Sequence, residues 1–169
     1  AELSIKTYYE SYFKSPQSKV TLGITRAGNV IGGGDWAKDR IVPDCIRSWS
    51  ENKSVDIRNP SATRPWQHVL EPLSGYLYLG YSLSIDKSLH GEAFNFGPSA
   101  SSNFSVAELI NEMKNHWSNI SWNDLSSSDN AMHEAGLLKL NCDKALTYLN
   151  WLPALDFSSN VEMTIGWYK

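Results

Sequence analysis

The chain has 169 residues, of which 41% are hydrophobic and 20% charged, and its formal net charge is −3. We therefore expect one globular domain, or most of one. The slight acidic excess and the lack of a lysine and arginine cluster argue against a nucleic-acid partner. Without an apolar run of about 18 to 20 residues or a signal-peptide pattern, we expect a cytoplasmic protein with no membrane partner.

Hydrophobic periodicity and turn residues predict a series of helices and extended segments. In chain order these are a helix over residues 1–14, a strand over 19–26, a glycine-rich loop over 27–36, a helix over 41–52, extended segments over 54–58 and 65–69, a helix over 72–85, a strand over 92–96, a helix that carries Val106 to Trp117, strands over 119–122 and 136–140, and helices over 143–149 and up to Tyr168.

The alternation of strands and helices favours an α/β fold. About two of the strands are long enough for a central sheet, so we expect roughly half of a doubly wound sheet to be missing. The most specific local pattern is the capping box Ser105-Val-Ala-Glu108, which marks the start of a helix.

The glycine run is ambiguous. Gly32, Gly33 and Gly34 follow a predicted strand, but consecutive glycines do not give the G-x-G-x-x-G spacing of a pyrophosphate-binding turn. From composition alone, a flexible or tight turn that requires positive φ is the better explanation. The seven tryptophans are similarly open to two interpretations, since they could stack on a sugar, although most match the apolar faces of predicted elements.

Polar residues near strand ends are the candidates for ligand contacts. Asn29 follows a strand, where open α/β sheets bind ligands, although a turn-forming asparagine is equally consistent. Arg26, Arg40, Arg58 and Arg64 lie near strand ends or loops, and guanidinium groups match phosphate geometry. Surface ion pairs are the alternative for each arginine.

Metal binding and nucleophilic catalysis have no support in the sequence. The four histidines lack metal-ligand spacing, and no G-x-S-x-G motif occurs. Cys45 and Cys142 lack the C-x-x-C pattern, so we interpret both as reduced, packed thiols. We therefore predict no metal ligands.

Longer segments carry a family resemblance. ITRAGNVIGGGDWAKDRIVPD, IRNPSATRPWQHVLEPLSGYLYLG, FNFGPS and KLNCDKALTYLNWLP together cover most of the chain. They resemble the CDP-glucose 4,6-dehydratase branch of the extended short-chain dehydrogenase/reductase superfamily. Many relatives have R-D-W-x-x-V-x-D where this chain has RPWQHVLE, ending in Glu71, and this departure fits the CDP-glucose branch better than a dTDP-glucose enzyme.

The resemblance implies conversion of CDP-D-glucose to CDP-4-keto-6-deoxy-D-glucose, a step of deoxysugar biosynthesis for O-antigen lipopolysaccharide, by an NAD-dependent homo-oligomer. It assigns the cofactor contact to Gly28. Its substrate contacts are Asn29, Arg40, Arg64, Asn95 and Glu134, of which Asn29, Arg40 and Arg64 would bind the diphosphate and Glu134 the ribose.

The resemblance also implies that the catalytic residues lie outside this sequence. The family uses a Tyr-x-x-x-Lys pair, and no lysine here has a tyrosine four residues before it. We therefore expect a C-terminal portion that starts just past that lysine, with no catalytic residue, and that is inactive alone.

The implied fold is the last part of a Rossmann-type sheet with a small mixed α/β substrate-binding domain. Residues 1–40 would end the Rossmann-type domain, residues 41–169 would mainly bind substrate, and residues 71–97 would return a helix and a strand to the sheet.

Two alternatives remain open at this stage. One is another NAD-dependent nucleotide-sugar epimerase or dehydratase, because these enzymes share the substrate domain. The other is a stand-alone nucleotide-sugar binding module. The tryptophans and the absence of the catalytic residues from this sequence suggest it.

Overall fold

A computed structural model describes residues 1–127 and 138–169. Its α-helices are α1 (Glu2–Tyr8), α2 (Ile41–Ser50), α3 (Leu70–Ile85), α4 (Val106–Met113), α5 (Asp143–Leu149) and α6 (Phe157–Tyr168). Its strands are β1 (Ile24–Ala27), β2 (Asn29–Ile31), β3 (Val55–Ile57), β4 (Thr63–Arg64), β5 (Trp66–His68), β6 (Ala93–Phe96), β7 (Phe104–Ser105) and β8 (Trp122–Asp124). A π-helical turn, Tyr9–Phe13, continues α1, and a short 3-10 helix covers Lys87–Leu89.

The strands form pairs that lie far apart in sequence. β1 pairs with β6, β2 with β5 and β3 with β8, all in parallel, whereas β4 pairs with β7 in antiparallel. Parallel partners need a crossover connection, and α3 leads into β6 in this way. The described residues therefore form a mixed α/β arrangement in which parallel pairing dominates.

Two hydrophobic clusters hold these elements together. The first lies among α2, α4, α6 and the strands β2, β3 and β5, with Cys45, Ile46, Leu109, Ile110, Met113 and Ile165 at its centre. The second lies between α3, α5 and β6 and contains Leu79, Phe94, Phe96, Leu149 and Trp151. Gln67 links the two regions, since its side-chain amide donates to the Phe96 carbonyl over 2.9 Å.

Most of the predicted elements are confirmed, and the capping box is present as predicted. Ser105 accepts from the Glu108 backbone N–H over 3.2 Å, and the Glu108 carboxylate accepts from the Ser105 N–H over 2.7 Å. The helices at 143–149 and up to Tyr168 also match.

Three boundaries were predicted wrongly. The strand predicted over 19–26 is β1 at Ile24–Ala27, whose register partners on β6 begin at Ala93, although the Leu22 carbonyl still accepts from the Gly91 N–H. The predicted loop over 27–36 contains β2, which β5 pairs from a distant part of the sequence. The helix of Val106 ends at Met113, and Trp117 instead packs from the following turn against the first cluster.

Two weaker strand predictions also need correction. Extended structure near residues 119–122 begins at Trp122 and forms β8, because Asn119 adopts a left-handed backbone with φ of 60°. Residues 138–140 of the strand predicted over 136–140 form no strand, and the rest of that segment lies outside the described residues. In the part of the chain that is described, no helix has the length and apolar character needed to cross a membrane.

Candidate functional site

A cavity of about 740 Å³ lies where β1 leads into β2, beside the N-terminus of α2. Ligand pockets have volumes of about 300 to 1,000 Å³. One wall is made by the β1–β2 junction, one by the start of α2, and one by Arg64, Pro65 and Trp66 of β4 and β5. Leu138 and Leu140 add apolar surface. The cavity is therefore large enough for a small-molecule ligand.

Four of the predicted contacts lie together in this cavity. Gly28, Asn29, Arg40 and Arg64 all line it, although they come from three separate parts of the sequence. Arg58, another of the four arginines that were candidates for ligand contacts, does not line the cavity. The fold thus brings together most of the residues to which the sequence assigned ligand contacts.

Asn95 lies beside the cavity rather than in its wall. Its amide donates to the Asn141 carbonyl over 2.8 Å, and its carbonyl oxygen accepts from Arg26 over 3.2 Å. Arg26 and Asn95 are register partners on β1 and β6. Glu134, the last predicted contact, lies outside the described residues.

Gly28 has a packing role in addition to its position in the cavity wall. A Cβ built on it would lie 3.0 Å from both Cγ and the carbonyl oxygen of Pro65. Contacts this close require the neighbour to shift, so a side chain at Gly28 would press β1 away from Pro65. The glycine therefore keeps the β1–β2 junction close to the segment that carries Arg64.

Arg26 contributes charge to the cavity but is already paired. Its guanidinium binds the Glu2 carboxylate through two hydrogen bonds, of 2.5 and 2.6 Å. This hydrogen bonding lowers the pKa of Glu2 and raises the pKa of Arg26. Both side chains are exposed, so solvent screens the pair and its contribution to stability is small.

The N-terminus of α2 presents backbone donors at the cavity. Arg40 is its N-cap residue, with extended backbone angles, and no side chain of the described residues caps the helix there. Ile41, Val42 and Pro43 of the first turn line the cavity, and of these only Ile41 and Val42 carry a backbone N–H. The first N–H groups of a helix lack intrahelical acceptors and favour anions.

Arg64 is half-buried on β4 and donates to the Thr63 carbonyl over 2.9 Å. The pairing of β4 with β7 fixes the backbone from which this side chain extends. Three arginines, Arg26, Arg40 and Arg64, line the cavity together with Asp35 and Asp39. Because Glu2 already neutralises Arg26, the charges of the described wall nearly balance. Arg40 and Arg64 supply the cationic groups that an anionic ligand could contact.

Sequence reasoning missed both aspartates of the glycine-rich loop. Asp35 accepts from the Ala37 N–H over 2.9 Å, which forms a local turn. Asp39 has a positive φ of 61°, a conformation that few residues other than glycine and asparagine adopt. The D-W-A-K-D spacing offers a turn pattern for Asp35 but no indication that either residue lines a cavity.

A buried polar network supports the cavity from behind. The backbone N–H of His68 donates to the side-chain Oδ1 of Asn160 over 2.9 Å, and the backbone N–H of Leu70 donates to His68 Nδ1 over 3.3 Å. Burial lowers the pKa of His68, and the nearby Glu71 carboxylate partly opposes this shift. In this network His68 Nδ1 serves as a hydrogen-bond acceptor.

Solved structures identify the class of fold. The chain superimposes on UDP-glucuronic acid 4-epimerase from Bacillus cereus with a TM-score of 0.78 and 20% identity, covering 99% of this chain and 49% of the epimerase. It superimposes on dTDP-glucose 4,6-dehydratase from Bacillus anthracis with a TM-score of 0.72 and 18% identity, covering 99% and 48%. The chain has the fold of the C-terminal part of an extended short-chain dehydrogenase/reductase, as predicted.

Sequence comparison is more specific. The chain is 42% identical over its full length to CDP-glucose 4,6-dehydratase of Salmonella typhimurium. This confirms the resemblance on which the residue predictions were based. The chain spans about half the length of the relatives that it matches, at 48% for the Salmonella enzyme. No family model matches it.

Proposed function

We propose that this chain forms the nucleotide-sugar-binding part of a CDP-glucose 4,6-dehydratase. The reaction would convert CDP-D-glucose to CDP-4-keto-6-deoxy-D-glucose with loss of one water molecule. The observation that carries the proposal is the convergence of Asn29, Arg40 and Arg64 on one cavity in a chain 42% identical to such an enzyme. This chain would supply the substrate-binding residues and would be inactive without the other half.

The diphosphate of the substrate would lie between Arg64 and the N-terminus of α2. Arg64 is half-buried, so its guanidinium is less screened than a fully exposed one, and its planar fork can donate two hydrogen bonds to one phosphate. Arg40 and the first amides of α2 approach from the other wall. The Asn29 amide at the start of β2 would add a neutral donor.

Asn95 and Glu134 stay predicted substrate contacts. Because the Asn95 side chain also bonds to Asn141 and Arg26, we propose that it additionally orients the Arg26 guanidinium in the cavity wall. Glu134 would reach the ribose of the nucleotide.

The cofactor of the proposed reaction is NAD, and Gly28 is the residue of this chain that would contact it. The fit is favourable, since Gly28 lines the cavity and brings no side chain into it. When bound, NAD supplies the hydride chemistry at sugar carbons 4 and 6. The described residues of this chain would hold and orient the nucleotide sugar, and the catalytic acid and base would come from the other half.

The proposed domain organisation assigns residues 1–40 and 71–97 to a Rossmann-type sheet and most of the remainder of 41–169 to substrate binding. Two observations support it: β1 and β6 are parallel partners, and α3 leads into β6 through the short 3-10 helix Lys87–Leu89. We propose a cytoplasmic homo-oligomer as the intact form.

The proposal is tested by the affinity of the full-length protein for CDP-glucose, measured by isothermal titration calorimetry. Arg64→Ala should weaken binding by about 1.5 to 3 kcal/mol, the range for a hydrogen bond to a charged group. Arg58→Ala is the matched control, because Arg58 is exposed and lies outside the cavity. If Arg64→Ala bound CDP-glucose with unchanged affinity, the diphosphate would not bind beside Arg64.

A further inference from the structure

The loop of residues 32–40 separates the cavity from the last turn of α6. Gly32, Asp35, Asp39 and Arg40 line the cavity. The opposite side of the same loop contacts Trp167 and Tyr168, the last two residues of α6. The conformation of one cavity wall therefore depends on residues that lie outside the cavity.

Trp167 packs directly on the backbone of the loop. A Cβ built on Gly33 would lie 2.0 Å from Cγ of Trp167, so only glycine permits this approach. Gly34, with a positive φ of 78°, lies over the outer ring of the same indole. Contact with an aromatic side chain therefore explains Gly33 and Gly34, whereas Gly32 packs against Val69 and lines the cavity.

Tyr168 fixes the loop by hydrogen bonds. Its hydroxyl donates to the Asp35 carbonyl over 2.8 Å and lies 3.3 Å from the Gly32 carbonyl. Its ring also meets the ring of Trp36 edge to face, with centroids 5.2 Å apart. Tyr168 thus bonds to two backbone groups that belong to cavity-lining residues.

Burial in the core does not account for the two tryptophans of this contact. Trp167 and Trp36 are 58% and 53% exposed, so neither belongs to the two hydrophobic clusters. At the far end of the loop, Arg47 of α2 donates to the carbonyls of Trp36 and Ala37. The loop is therefore held from α6 on one side and from α2 on the other.

We propose that Trp167 and Tyr168 are positioning residues that set the affinity of the cavity for its nucleotide sugar. They hold the loop so that Asp35 stays against the wall and Arg40, with the start of α2, faces the diphosphate. This inference rests on the proposed function, because the ligand is the one proposed above. It predicts an effect on substrate binding that exceeds any effect on turnover.

The experiment uses the full-length protein and the variant Tyr168→Phe, which keeps the ring and removes the hydroxyl. We expect Kd and KM for CDP-glucose to rise about five-fold, the effect of one net hydrogen bond, with a smaller change in kcat. Trp167→Leu should raise both further, and Trp167→Phe should restore part of the loss. Tyr148→Phe, which removes a hydroxyl from a 63% exposed residue of α5, is the matched control.

A second readout follows the loop itself. Trypsin cleaves after Lys38 and Arg40, both of which are exposed in the loop. Cleavage at these sites should be faster in Trp167→Leu than in the unsubstituted protein, because local opening exposes the backbone to the protease. Mass spectrometry of the fragments identifies the cleaved bonds.

The outcomes separate this inference from the proposed function. If the unsubstituted protein binds CDP-glucose but Tyr168→Phe and Trp167→Leu bind it equally well, the positioning role is wrong and the proposed function stands. If the unsubstituted protein does not bind CDP-glucose, the proposed function and the affinity claim both fail. Equal trypsin cleavage of Trp167→Leu and the unsubstituted protein would show that Trp167 does not hold the loop.

Discussion

Replacement of Glu71 by alanine should destabilise the protein more than any single change at its surface. Glu71 lies in the first turn of α3 and is 5% exposed. Its carboxylate accepts from the Leu155 N–H over 2.7 Å and from the Ala154 N–H over 3.1 Å. These bonds fix the segment that leads into α6.

The size of the effect follows from these contacts. A hydrogen bond to a charged group contributes about 1.5 to 3 kcal/mol, so loss of both bonds could cost twice that amount. Ala154 is exposed, so water can replace part of the loss there. We therefore expect Glu71→Ala to lower the free energy of unfolding by about 2 to 4 kcal/mol.

The measurement is urea denaturation at neutral pH, followed by tryptophan fluorescence. Glu162→Gln, at an exposed position of α6, is the control and should change the free energy of unfolding by less than about 0.5 kcal/mol. If Glu71→Ala also stayed within that range, the carboxylate would not hold residues 154–155, and the reasoning would be refuted.

Two further predictions concern stability. Since burial lowers the pKa of His68 in the folded state, its contribution to stability is full above the unfolded pKa of about 6.5 and is lost as the pH falls through the folded value. Urea denaturation over this pH range should show a weaker pH dependence in His68→Gln, and an unchanged dependence would contradict the shift. Ser105→Ala removes the capping box of α4 and should cost about 1 kcal/mol in the same assay, with Ser105→Asp restoring most of it; full stability of the alanine variant would contradict the cap.

Local patterns were sufficient where an element is determined by its own residues. The start of α4 was predictable because Ser105 and Glu108 satisfy each other's backbone groups within one turn. β6 was predictable because its apolar residues alternate, with Phe94 and Phe96 fully buried.

Elements that depend on distant partners were not predictable in the same way. β2 exists because β5 pairs with Asn29 to Ile31, and nothing within the glycine-rich segment indicates this pairing. β4 and β7 are two residues long each and form only because the chain brings Thr63 beside Ser105. These short strands could therefore be identified only from the three-dimensional structure.

The candidate site was likewise predictable only in part. Asn29, Arg40 and Arg64 were assigned ligand contacts from residue type, strand ends and family resemblance, and they line one cavity. The roles of Gly33 and Gly34 could not be predicted, because they depend on Trp167, more than a hundred residues further along the chain. A glycine pattern alone does not distinguish contact with a phosphate from contact with an indole.

The most direct test of the proposed function is the product that the full-length protein makes from CDP-glucose in the presence of NAD. We predict a product that has lost one water molecule by mass spectrometry and that shows a new methyl group at sugar carbon 6 by proton NMR. A product of unchanged mass with an inverted sugar carbon would contradict the dehydratase assignment and indicate an epimerase.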